Sequence, residues 1–139
     1  MKSDSPELVA ISVCERIQQD IFRKDTVTLV NVHNSITAQA FPALVPILYT
    51  FAQLRGLKKA FSYQFKIVDA HGNLLASSSA GTVEPLAHSS YLHKIVSAFP
   101  GVIFPGVGNY SFVLEIDEKL VGSTPFIVEL TPVIEGTPA

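Results

Sequence analysis

What most constrains this chain is a period of two. In "FSYQFKIV" the residues Phe61, Tyr63, Phe65 and Ile67 fall on one side, and Ser62, Gln64 and Lys66 on the other. In "NYSFVLEI" Tyr110, Phe112, Leu114 and Ile116 share a side, and in "TPFIVELT" Phe126, Val128 and Leu130 do the same. Successive side chains of a strand point to opposite faces, so this alternation is the mark of strands with one face in a core. "ELVAISVCE" and "TVTLVNVH" are rich in β-branched residues and read as further strands. The connections carry turn chemistry: "DAHGN" at Asp69 to Asn73 and "DEKL" at Asp117 to Leu120 each join two apolar runs as hairpin loops. The expected architecture is all-β: one antiparallel β-sandwich, immunoglobulin-like in form, with about seven or eight strands.

Two segments stay open. "RIQQDIFRKD" reads as one helical turn, with Ile17 and Ile21 four apart, or as a long loop between the first two strands. "SSYLHKIVSAF" fits a helix through Leu92, Ile95, Val96 and Phe99. It also fits a strand with Tyr91, Ile95 and Phe99 on one face. The tetrapeptide FPGV occurs twice, at Phe99 to Val102 and at Phe104 to Val107. Two copies make no repeat array, and each Pro-Gly pair reads as a bend at the edge of the sandwich. Gly106 and Gly108 form G-x-G, but Ser111 stands where a third glycine belongs and a strand follows, so dinucleotide binding is not supported.

Composition bounds the rest. A chain of 139 residues suits one domain. That domain is expected over residues 8–131, between a short tail at 1–7 and a flexible tail at 132–139. Charged residues are only 16% of the chain, against a usual share of about 25%. Ten Lys plus Arg and twelve Asp plus Glu cover the surface of a small domain thinly. Some apolar surface is therefore expected to be buried by a partner, most simply a second copy of the chain. The longest apolar stretch, "FPALVPILYTFAQL", is interrupted by two prolines and is shorter than the ~20 residues of a spanning helix. The N-terminus reads as no signal peptide. Cys14 is the only cysteine, so no internal disulfide is possible. Cytoplasmic localisation is the expectation. The clusters at Arg23 and Lys24 and at Arg55 to Lys59 make no broad positive face, which argues against nucleic acid.

Residue by residue, the sequence holds little chemistry. Of the four histidines, His33 ends a strand, His71 lies in a hairpin loop, and His88 and His93 stand five apart, a poor spacing for ligands on one face. Cys14 could act as a nucleophile with one of them and with Glu15 or Asp69. It lies in an apolar strand, sharing a side with Leu8, Ala10 and Ser12, so a core position is expected instead. Glu115, Asp117 and Glu118 cluster at one hairpin and read as a solvated turn. Tyr49, Tyr63 or Tyr91 could stack on a sugar, although most aromatics are needed for the core. No catalytic, cofactor or metal residue is assigned, and no enzyme activity is expected.

The order of these pieces resembles a family of small bacterial proteins of unknown function. The resemblance rests on "ISVCERI" as an early cysteine-bearing strand and "FPALVPILYTFAQL" as an F-P strand. A late F-P-x-x-G-x-Y motif follows at Phe104 to Tyr110. It implies a β-sandwich with "SSYLHKIVSAF" as a strand, and no activity. The expected role is a non-catalytic module that associates with itself or with another protein through an apolar sheet face or a strand edge. Ile47, Tyr49 and Phe51 are the candidate interface, because Leu48, Ala52 and Leu54 make the other face of the same segment apolar too. The competing reading is a central strand buried on both sides. The alternative function is a small-ligand or carbohydrate-binding sandwich using loops near His71 and Asn109.

Overall fold

The computed structural model describes residues 6–20, 22–23, 26–56, 59–78, 80–84 and 92–131. The expected tail at 132–139, Ile21, His88 and Tyr91 lie outside the described residues. There are ten strands and no helix among those described: β1 (Glu7–Gln19), β2 (Val27–Val32), β3 (Ser35–Ala38), β4 (Ala43–Arg55), β5 (Phe61–Asp69), β6 (Leu74–Ser77), β7 (Gly81–Val83), β8 (His93–Phe104), β9 (Gly108–Ile116) and β10 (Lys119–Leu130). They form a four-stranded sheet in the order β2-β1-β4-β8 and a six-stranded sheet in the order β3-β10-β9-β5-β6, with β7 also paired to β5.

The two sheets enclose one core. The alternation predicted for β5 and β9 holds: Phe61, Phe65 and Ile67, and all of Tyr110, Phe112, Leu114 and Ile116, are buried. Phe112 lies between Phe99 of the opposite sheet, with ring centroids 5.2 Å apart, and Phe65 and Phe126 of its own. Val13, Leu48, Ala52 and Leu54 complete the core from the four-stranded sheet. On β10, Phe126 and Val128 point inward as expected, but Leu130 is 54% exposed because the strand outruns the core there.

The strand count exceeds the expectation because β3, β6 and β7 are only four, four and three residues long, too short to show a period. β3 pairs with β10 in parallel, the one departure from an antiparallel pattern among the described strands. The ambiguous "SSYLHKIVSAF" is strand from His93 onward, with Ile95 and Phe99 inward. "RIQQ" is neither helix nor loop: β1 runs on through Gln19, paired with β2.

The two FPGV copies have different structures. Phe99 to Val102 lies within β8, where Pro100 sits opposite Ile47 and Gly101 adopts a φ of 67°. β8 is an edge strand of its sheet, where a residue with no N–H is tolerated. This corrects the expectation of two bends. The second copy is the bend, carrying the chain from one sheet to the other. There the Tyr110 hydroxyl donates a 2.8 Å hydrogen bond to the Gly106 carbonyl. A tyrosine near the start of a strand, bonded back to the chain a few residues upstream, is a corner device of β-sandwiches. At the opposite end, the Asp117 carboxylate accepts hydrogen bonds from the Ser62 N–H and hydroxyl, tying the β9–β10 turn to β5. That turn places Asp117 and Glu118 at positive φ, 49° and 67°.

Candidate functional site

β4 is the centre of the four-stranded sheet and has two apolar faces, as its sequence implies. Leu48, Thr50, Ala52 and Leu54 turn inward; Ile47, Tyr49 and Phe51 turn outward, opposite Pro100, Ala98 and Val96 of β8. The three outward residues are not equally available. Ile47 is 38% exposed, Tyr49 is half-buried, and Phe51 is only 6% exposed although it is no member of the core. Cys14 shares this outward side, opposite Tyr49, and is fully buried. Burial was expected for it, but not this side. An irregularity between Leu8 and Ala10 breaks the alternation, so Leu8 packs against the core while Ala10, Ser12 and Cys14 do not. Burial raises the Cys14 thiol above its ordinary range, the reverse of what a nucleophilic cysteine requires.

The upper half of β1 leaves the sheet. β1 pairs with β4 only from Glu7 to Cys14, and from Arg16 to Gln19 it pairs with β2 alone. These segments form a two-stranded arm, with Asn31 at a φ of 54° bonded through its amide to Glu15. The turn at the arm's tip is organised by Asp20. Its carboxylate accepts the Phe22 and Arg23 backbone N–H groups and pairs with the Arg23 guanidinium. These bonds hold the Asp20 carboxyl below the usual range. Continued straight, Gln19 would stand level with Leu44, about 33 Å along the sheet from His93. Instead Gln19, Asp20 and Val27 line one cleft together with Lys94 and Val96 of β8. The arm therefore turns back toward the start of β8.

Toward the Ala43 end of β4 the outward face is open. The alternation of both β4 and β8 inverts around Pro46 and Gly101, so that Val45 and Val102 turn inward and their neighbours turn out. Leu44 and Ile103 consequently face solvent directly opposite each other, 62% and 56% exposed. Ile47 and Pro100 extend the patch downward, and Val107 in the following bend is exposed as well. Neither β4 from Ala43 to Leu54 nor β8 from Ile95 to Phe104 holds a charged residue. The expected interface residues border this patch but miss its centre. A single-strand period cannot reveal a kink that two paired strands share.

The expected ligand loops come to one end of the six-stranded sheet. Asp69 pairs with Tyr110, which puts the exposed His71 turn and Asn109 at that same end. Asp69 is engaged there by the N–H groups of Asn73 and His71, and these bonds, the Asn73 one foremost, keep its carboxyl low. His33 follows β2 and donates its N–H to the Val13 carbonyl; burial lowers its imidazole below the ordinary value, against a weaker opposing pull from Glu15. His93 starts β8 at the far end, opposite Leu54. The described histidines thus sit on separate elements, and among the described residues no three of His, Cys, Asp and Glu gather. In the acidic hairpin Glu115 pairs with Lys66 at 2.9 Å, while Asp117 and Glu118 are exposed as a solvated turn would be, Asp117 also tying the turn to Ser62. Tyr63 is half-buried with its ring against Gly81, its cross-strand partner.

The sequence signature of a family of unknown function, DUF6941, matches residues 9–129. A search of curated proteins returned no match.

Proposed function

Starting from the chain's membership of the family of unknown function DUF6941, we propose that it is a non-catalytic interaction module that pairs with a second copy of itself through the open part of the outward face. The observation that carries this reading is the cross-strand pair Leu44–Ile103, with both side chains more than half exposed and no charge beside them. Scattered apolar residues on a surface are ordinary, whereas a contiguous patch marks a contact. A face is favoured over an edge. β8 is the free edge of this sheet, but Pro100 removes a donor at its middle and Gly101 twists the backbone, which breaks the ladder a docking strand would need.

A second copy is the partner best matched to an uncharged patch, because a two-fold contact needs only one self-complementary surface. The patch is two strands wide and about six residues long, roughly 10 Å by 20 Å. That is well below the ~800 Å² per partner of a stable interface, so the association is weak and reversible on dilution. Sedimentation velocity over a concentration series tests this. Reversible dimerisation that Leu44→Lys abolishes supports the reading, and a monomer at every concentration sinks it.

A further inference from the structure

The cleft between the arm and the start of β8 has a make-up that the self-association reading does not use. It is a half-open cleft of about 890 Å³, within the range of small-molecule sites. Its walls come from four parts of the chain: the arm tip, Tyr63 of β5, β7 with the residue after it, and β8. On the arm side stand Gln19, Asp20 and Arg23; facing them are Thr82, Glu84 and Lys94. Asp20 and Arg23 already pair with each other at 2.9 Å. The two acids and two bases cancel, so a net-charged ligand gains no field from them. What the cleft offers instead is hydrogen-bond donors and acceptors of both kinds.

Tyr63 supplies its aromatic member. Its ring lies against Gly81, where a Cβ would come within 2.6 Å of the ring and the hydroxyl oxygen. Phe65 meets it edge-on at 6.1 Å. Glycine at position 81 thus lets the ring take this place, and the half-buried remainder borders the cleft.

We propose that this cleft binds an uncharged saccharide, with Tyr63 as the platform for the sugar's C–H face and Gln19, Arg23, Thr82 and Glu84 as partners for its hydroxyls. Sugar hydroxyls both donate and accept, which suits side chains of both kinds converging on one space. The site lies away from His71 and Asn109, the loops expected from sequence, and does not depend on self-association. Amide chemical shifts of the full chain, recorded during titration with maltotriose, cellotriose and diacetylchitobiose, test it. At least one of these sugars should shift Gln19, Thr82 and Lys94 saturably while leaving His71 and Asn109 in place. Tyr63→Leu, and Gly81→Ala by displacing the ring, should each weaken binding about tenfold. If these variants do not fold, Gln19→Ala and Glu84→Ala, at exposed positions, decide by weakening the same titration. No saturable shift with any of the three sugars, shifts centred elsewhere, or affinity indifferent to the folded variants would overturn the proposal.

Discussion

The Tyr110 corner makes the sharpest prediction, because one atom can be removed without disturbing the packing. Tyr110 is 5% exposed, with its ring against Phe104 at 5.1 Å and Phe126 at 5.9 Å. Tyr110→Phe keeps those contacts and deletes only the hydroxyl that donates to the Gly106 carbonyl. A net hydrogen bond contributes about 0.5–1.5 kcal/mol, and a buried acceptor left unsatisfied costs about 1–3 kcal/mol. Gly106 is only half-buried, so water can reach its carbonyl. The expected loss is therefore near the lower figure, about 1 kcal/mol. For a domain of this size that is a fall in Tm of about 3–5 °C, with an unchanged urea m-value. Tyr110→Ala, which also empties the ring's place, should cost about 3–5 kcal/mol. A Tyr110→Phe variant as stable as the parent would refute the corner's role. A loss as large as that of the alanine variant would show that the ring had moved and the reasoning from packing had failed.

Other expectations follow from burial and charge. Thr50 is fully buried, and among the described residues its hydroxyl has no hydrogen-bond partner. Thr50→Val should therefore be neutral or stabilising by up to about 1 kcal/mol in chemical denaturation; a clear destabilisation would mean the hydroxyl has a partner. Because burial raises the Cys14 thiol, the unfolded chain gives up its proton first. The contribution is whole below the ordinary thiol pKa and is lost as pH rises through it, so stability should decline above about pH 8.5. Cys14→Ala should flatten that decline, and the native thiol should resist labelling until unfolding. His33 works in the other direction. Its lowered pKa makes the unfolded chain take up a proton first, so stability should fall as pH drops below about 6.5, and His33→Gln should remove that slope. An acid limb unchanged in His33→Gln would contradict this.

The sheets were legible wherever one face meets the core, since Phe61 to Ile67 and Tyr110 to Ile116 keep a strict period over a full strand. The short β3, β6 and β7 were not, because four residues or fewer contain too little period to separate strand from loop. The side on which Cys14 points departs from simple alternation for a local reason: the irregularity after Leu8 adds a residue that alternation cannot count. The patch around Leu44 and Ile103 was half legible. Its lack of charge is plain in the sequence, but its outward turn depends on Pro46 and Gly101 kinking two strands that only the fold brings together. The arm was illegible, since its return toward β8 is fixed by packing far along the chain. Both parts of the cleft proposal, the Tyr63–Gly81 contact and the approach of Gln19 to Lys94, are tertiary in the same way.

The most direct test of the self-association reading is the mass in solution, by light scattering coupled to gel filtration across a dilution series, for the parent chain and for Leu44→Lys with Ile103→Lys. The parent should approach twice its 15.0 kDa at high concentration and return to monomer on dilution, while the folded double variant stays monomeric throughout. A parent that remains monomeric at every concentration, or a dimer that the double variant leaves intact, would contradict it.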